Sequence, residues 1–317
     1  MILKGAWDEI RGPFLVKLTR RNELTSMVLA QVVNGICWGM ILGLLALGLT
    51  IIFGMLNIIN FAHGAIYAIS IYLAYTSIYI LRIPIPGIST FWGALIIIPI
   101  FMGLLGLVIE RFLIRPILNA QHEYQLLLTF SLLLILQEAI AIIWGTMPLP
   151  FDSPKSLVGV LNLKFMVYPL YRIFVIVITV ILAIIFWFFL EKTKYGSVVR
   201  GGIEDSEMMA CLGINISLVR NFTFGLGIAV AALSGVLAAP ISGTLKPLMG
   251  MTNLIACFVI VAIGGLGSFS GAIIGGILVG VIKSLIIMVE PKASELAMFF
   301  LMAIVLLLRP RGLFGKR

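Results

Sequence analysis

The sequence predicts an all-α polytopic membrane protein with about 8–10 transmembrane passes, some of them discontinuous, and with both termini cytoplasmic. Three observations predict it. Of 317 residues, 61% are hydrophobic and 11% charged, against about 25% charged in an ordinary soluble domain. The apolar residues form continuous runs, without the alternation of a transmembrane β-strand. Basic residues gather in short loops and at the chain ends, as cytoplasmic loops require. The net charge of +9 therefore reads as topology, and no nucleic-acid partner is expected.

In chain order, residues 1–27 mix Lys4, Arg11, Lys17, Arg20 and Arg21 with Trp7, Phe14 and Leu18. That mixture suits an amphipathic arm on the cytoplasmic face, held by membrane lipid; the alternative is a frayed basic tail. Residues 28–309 form a single transmembrane domain with apolar runs at 28–53, 57–81, 91–114, 124–146, 170–190, 219–242, 251–289 and 294–308. Residues 310–317 are a basic cytoplasmic tail. Arg111 and Arg115, the segment Glu191 to Arg200 with Arg220, and Arg309, Arg311, Lys316 and Arg317 mark the cytoplasmic side. Loops 82–90 and 147–169, poorer in positive charge and carrying several prolines, are expected outside.

Counting crossings between these loops sets two requirements. With the N-terminus inside and loop 82–90 outside, residues 28–81 must cross an odd number of times, although they show two runs. Residues 251–289 must hold two passes, broken naturally at Gly264 to Gly271, GGLGSFSG. The breaks resemble each other: GMLNIINFAHGAI (Gly54 to Ile66) and GGLGSFSGAI (Gly264 to Ile273) align with a three-residue gap. A repeat would set two discontinuous segments about a central axis, both breaks facing the same side. Gly35, Gly39 and Gly43, and Gly271, Gly275 and Gly280, bring small residues to close helix contacts, within the chain or between copies.

The stretch Gly48 to Gly64, GLTIIFGMLNIINFAHG, places amides and an imidazole at membrane depth. Such groups cost several kcal/mol in lipid unless they face protein or water. Asn57, Asn60, His63 and Gly64, with Gly264, Gly265 and Gly267, are therefore the candidate translocation-path residues. His63 either satisfies a neighbouring carbonyl at a helix break or contacts substrate or relays protons. Asn57 and Asn60 either line the path or cap the following helix. Glu138 in run 124–146 is expected to make an interior hydrogen bond, Glu110 and Arg111 to snorkel at a boundary, and Lys283 to pair with a partner subunit or reach the interface. His122 is expected to be solvated. Cys37, Cys211 and Cys257 are isolated and read as packing residues.

The longest patterned polar segment is 191–220, EKTKYGSVVRGGIEDSEMMACLGINISLVR. Ser206 to Leu212 reads as a short helix with an acidic N-terminus, which Gly213 can end. Its Met208, Met209 and Leu212 need an apolar surface, and a groove on a partner protein would supply one.

Three blocks, GLTIIFGMLNIINFAHG, TKYGSVVRGGIEDSEMMACLGI and IGGLGSFSGAIIGGILVG followed by RPRGLFG, resemble the permease subunits of branched-chain amino-acid ABC importers of the LivH type. The resemblance covers residues 28 to 315. It implies a permease domain that pairs with a second homologous permease, two cytoplasmic ATPase subunits and a periplasmic or lipid-anchored substrate-binding protein. It further implies a bacterial or archaeal cytoplasmic (inner) membrane and branched-chain amino acids as substrates. The middle block resembles a coupling helix that docks on the ATPase, so Arg200, Glu204, Asp205, Met208, Met209, Ala210, Leu212 and Gly213 are the coupling residues. Where the family has alanines after Arg200 this chain has Gly201 and Gly202, which suggests a looser start to that element.

The chain has no G-x-x-x-x-G-K-[ST] phosphate loop, so ATP and Mg belong to partner subunits, and the chain is expected to be neither an enzyme nor a metal protein. The competing reading is an ATPase-independent secondary transporter or channel for a small polar solute such as urea or an amide, with His63 and Glu138 coupling protons. An intramembrane enzyme fits worst, for want of a metal cluster or a Ser-Lys dyad at useful spacing.

Overall fold

Continuous apolar sequence, hydrophobic on every face, forms helices that satisfy their own backbone in lipid. The structure, a computed structural model, describes residues 2–81, 90–162 and 166–315, residues 2–24 by backbone alone. The helices are α1 (Ile2–Leu56), α2 (Ala62–Tyr75), α3 (Thr90–Ile109), α4 (His122–Trp144), α5 (Leu170–Lys192), α6 (Lys194–Glu204), α7 (Ser206–Cys211), α8 (Ile216–Ser242), α9 (Met249–Gly264), α10 (Phe269–Ile287) and α11 (Ser294–Leu308). A wider turn, Thr76–Ile80, prolongs α2. Among the described residues seven helical stretches are long and apolar enough to cross a membrane, and α9 is a shorter apolar one. Two short antiparallel ribbons, β1 (Leu149–Pro150) with β4 (Thr244–Leu245) and β2 (Val160–Asn162) with β3 (Val167–Pro169), complete the fold.

The bundle centres on α1, α8 and α10, whose glycines admit backbone against backbone. A Cβ on Gly39 would sit 2.6 Å from the Gly276 carbonyl oxygen, and one on Gly276 would sit 2.6 Å from both the Gly39 oxygen and the Gly43 Cα. Gly35 lies against Gly280 and Val281, so α1 and α10 run antiparallel and the predicted glycine spacing packs within the chain. Helix α8 crosses the other side of α1, with Gly227 against Gly48 and Ile52 and with Ser234 Oγ donating to the Ile41 carbonyl at 2.9 Å. Helices α4, α5 and α11 are peripheral and present Leu127, Ile142, Ile184, Trp187 and Leu307 outward, as lipid-facing helices do.

The break expected in 251–289 is present, with α9 and α10 parted at Gly265 to Ser268. The stretch 28–81 holds one helix of span length, α1, and the shorter α2, with residues 57–61 reversing the chain between them. The Thr25 end of α1 consequently lies beside the end of α10, opposite α6 and α7, because Gly202 of α6 packs on Met55 at the other end of α1. Loop 82–90 falls outside the described residues except for Thr90, and so do the side chains of the arm through residue 24 and the end of the tail, Lys316 and Arg317.

Three single-residue expectations need correction. Glu110 does not snorkel: it is fully buried, accepting from Arg115 at 2.7 Å and from Asn221 Nδ2 at 2.5 Å, because a carboxylate at a helix–helix contact is stabilised only by direct partners. Glu138 makes no interior hydrogen bond among the described residues; it is exposed on α4 beside exposed Leu134 and Ile135. Cys37 and Cys257 are packing residues, whereas Cys211 is exposed on α7, which is too short to turn every side chain inward.

Candidate functional site

Two regions carry the candidate residues. The first is the break between α1 and α2. Asn57 adopts a left-handed backbone (φ 54°), a conformation asparagine tolerates better than bulkier residues, and this turns the chain out of α1. Residues 57–60 run back beside α4, where Thr129 Oγ1 donates to the Ile59 carbonyl at 3.1 Å. Phe61 wedges between Phe130 and Phe258, with ring centroids 6.0 and 5.4 Å away. Helix α2 then starts at the level of Leu45 to Gly48, because His63 lies completely buried with Nε2 3.1 Å from the Leu45 carbonyl oxygen.

His63 thus meets a carbonyl of α1, as the first of its two expected roles requires. Neither asparagine caps α2: its N-cap is Phe61 and no side chain caps it. Asn60 is 1% exposed, and both its amide atoms lack a hydrogen-bond partner among the described residues, as do His63 Nδ1, Tyr67 Oη and Thr50 Oγ1. Each such buried group costs about 1–3 kcal/mol while unsatisfied. Asn60 and His63, at the start of α2, are therefore the polar side chains there whose remaining hydrogen-bonding capacity the described residues do not use. Gly64 serves close approach: a Cβ there would lie 2.6 Å from Leu254 Cβ on α9.

The second region is the end of the bundle formed by α6, α7 and the α9–α10 break. Thr193 caps α6 by accepting from the Gly196 amide at 3.2 Å, and Asp205 caps α7 by accepting from the amides of Glu207 and Met208 at 3.0 and 2.8 Å. Gly213, at φ 82°, ends α7 as expected, with the Ile214 amide reaching back to the Met209 carbonyl at 3.2 Å. Met208 is 62% and Leu212 68% exposed, and Glu204, Asp205, Ala210 and Gly213 are exposed with them. Met209 turns inward onto Gly201. Arg200 points back to the end of α5, donating to the Leu190 and Glu191 carbonyls and lying 3.5 Å from the Glu191 carboxylate. Burial raises the pKa of Tyr195 at the root of α6, and its 2.8 Å hydrogen bond to Thr223 works the other way.

The two glycines after Arg200 serve close packing. Gly201 and Gly202 let α6 lie against Met209 and Met55, where a Cβ would come within 2.7 and 2.8 Å. Ile203, which the motif reading did not single out, packs its side chain over Gly54 next to Gly267. A cavity of about 800 Å³ joins Arg200, Glu204, Gly267, Ser268, Phe269 and Arg311. One predicted path residue and two predicted coupling residues thus share a single space. Gly264 and Gly265 lie elsewhere: the Leu313 and Phe314 amides donate to the Ile263 and Gly264 carbonyls at 2.8 and 3.0 Å, and Gly312 packs on Gly265. The segment 310–315 is therefore a clasp on the α9–α10 break.

A multi-pass bundle with a broken helix pair and an exposed apolar element between α5 and α8 can be compared with known proteins. The model of the branched-chain amino acid transport system permease component matches residues 31–308. The chain belongs to that family. It is a transport subunit of the membrane, not a catalytic one. Among curated relatives it is 30% identical over 298 residues to the high-affinity branched-chain amino acid transport system permease protein BraD of Pseudomonas aeruginosa, covering 91% of this chain and 96% of that one. It is 29% identical over 301 residues to LivH of Escherichia coli K12, with the same coverage. It is also 29% identical over 311 residues to a probable LivH of Methanocaldococcus jannaschii, covering 95% and 96%. No solved structure matches.

Proposed function

We propose that the chain is the membrane-spanning permease subunit of an ATP-driven importer, and that with a second homologous permease it forms the path for branched-chain amino acids across the cytoplasmic (inner) membrane of a bacterium or archaeon. The observation that carries this reading is α7, which holds Met208 and Leu212 in the open at one end of a membrane bundle. An exposed apolar pair on a capped helix wants a groove. A cytoplasmic ATPase is the partner that family membership suggests, with ATP and Mg bound there. In this orientation the Thr25 end of α1 faces outward, opposite to the cytoplasmic side expected for the N-terminus from its charge, and a substrate-binding protein would deliver the amino acid on that face.

The mechanism follows from what α7 is attached to. Through Gly202 and Ile203, α6 rests on Met55 and Gly54, the last turn of α1, and beside Gly267 in the α9–α10 break. A displacement of α7 by the ATPase reaches the ends of the two broken helix pairs through packed side chains, without a flexible linker. The root of α2, with its unsatisfied Asn60, Tyr67 and Thr50, is where such a movement would open polar groups to a passing zwitterion. Glu138 supports the second permease: a carboxylate facing outward from a membrane helix is costly in lipid and calls for protein or water on that face.

The test is composition. The chain purified from its native membrane should bring two ATPase subunits, a second permease and, with leucine, isoleucine or valine present, a substrate-binding protein. Isolation of a self-sufficient homo-oligomer that transports in liposomes would favour the secondary-transporter reading, in which His63 and Glu138 couple protons.

A further inference from the structure

At the end of the bundle opposite α6 and α7 a second cavity of about 310 Å³ lies between α1, α5, α8 and α10. Two cations, Arg172 and Lys283, line it with Gln31, Asn34 and Ser284. Among the described residues no carboxylate does. The acceptors are already engaged: Asn34 Oδ1 accepts from Arg172, and Gln31 Oε1 accepts from Ser284 Oγ at 2.8 Å. What remains facing outward is donors. They are the Lys283 ammonium, which bonds to no described residue, the unused N–H groups of Arg172 and the amide nitrogens of Asn34 and Gln31.

Two cations that no carboxylate among the described residues neutralises, framed by Trp38 and Ile287, are costly to hold together unless an anion joins them. Donors on three helices, α1, α5 and α10, converge from different directions. That suits a tetrahedral group with several outward oxygens better than a planar carboxylate, which a single guanidinium fork can saturate. We propose that Arg172, Lys283, Asn34 and Gln31 form a phosphate-binding site, which takes the phosphodiester of a membrane phospholipid head group or a free phosphate ion. Its place among the first turn of α5, the last turns of α10 and the early turns of the α1 span is the level at which lipid head groups meet a helix bundle.

The experiment uses the full chain, delipidated in phosphate-free detergent, with its thermal midpoint followed during titration. Dioleoyl-phosphatidylglycerol should raise the midpoint saturably, and dioleoylglycerol, which lacks the phosphate, should not. An equal rise with inorganic phosphate assigns the site to the free ion, and a rise with the lipid alone assigns it to the head group; either supports the site. Lys283→Gln should weaken the apparent affinity about tenfold, the loss of one charge-assisted hydrogen bond, and Lys283→Arg should retain it. Asn34→Asp supplies an internal anion to Arg172, so it should raise the unliganded midpoint and remove the response. The proposal is overturned if neither phosphate compound saturates, if dioleoylglycerol stabilises equally, or if both Lys283→Gln and Asn34→Asp titrate like the parent chain.

Discussion

Replacing Gly276 by alanine tests the centre of the fold with a single methyl group. The new Cβ would lie 2.6 Å from the Gly39 carbonyl oxygen and 2.6 Å from Gly43 Cα, both main-chain atoms of α1 that no rotamer change can remove. Ordinary contact needs close to 1 Å more, so α1 and α10 must separate along the length over which Gly35, Gly39 and Gly43 hold them together. Overpacking of this kind costs about 1–3 kcal/mol, and the helix-propensity gain of about 0.5–1 kcal/mol for alanine over glycine only partly offsets it. Gly43→Ala is the internal control. Its methyl group would meet its nearest neighbours, the Ala272 carbonyl oxygen and Ile273 Cα, at 3.3 Å, so the propensity gain and the slight crowding roughly cancel. In detergent, thermal unfolding should drop by several degrees for Gly276→Ala and stay near the parent for Gly43→Ala. Equal midpoints for the two variants would refute the backbone contact between α1 and α10.

Other predictions concern the site. Met208→Asp with Leu212→Asp should release the ATPase subunits in pull-down experiments while the thermal midpoint of the isolated chain stays unchanged, since both side chains are exposed; a complex that survives and transports would show that α7 is not the docking element. Asn60→Leu removes a buried amide without partners and should stabilise the resting state by about 1 kcal/mol, yet slow uptake; faster or unchanged uptake would remove Asn60 from the path. Glu110→Ala takes the carboxylate from Arg115 and Asn221, leaving Asn221 its bond to the Leu107 carbonyl and Arg115 its bond to the Ser217 carbonyl, and should lower stability by about 2 kcal/mol, less than for a fully buried pair because Arg115 is 35% exposed; a change within a few tenths would show that the network contributes nothing. Gly265→Ala places a side chain at φ 99° against Arg311 and Gly315, and proteolysis should then cut the 310–315 clasp sooner than in the parent.

Much of the architecture was legible because it follows from local chemistry. Uninterrupted apolar runs have only helices open to them in lipid, and a cluster such as GGLGSFSG cannot continue a helix, so α9 and α10 followed directly. The same holds for α7, whose acidic start at Ser206 and Glu207 and whose end at Gly213 were legible, while its N-cap, Asp205, came from the structure. What escaped depends on partners distant in sequence. The polar groups of Glu110 and Asn221 meet across 111 positions, and Arg172 finds Asn34 across 138, separations at which no spacing rule operates. The reversal at 57–61 was hidden because a crossing count uses only the side on which each loop lies and carries nothing about where a helix turns back. The tail RPRGLFG looked like a free basic end, since its binding to α9 uses main-chain amides that every sequence possesses. Ile203 carried no signal at all; only its position over Gly54 gives it a role.

The central claim is that ATP hydrolysis on partner subunits drives this chain. Uptake of labelled leucine into membrane vesicles containing the whole complex, with ATP supplied on the face that bears α7, tests it most directly. The account predicts that vanadate abolishes uptake and that a protonophore leaves it unchanged. Uptake that resists vanadate and collapses with the protonophore would contradict it.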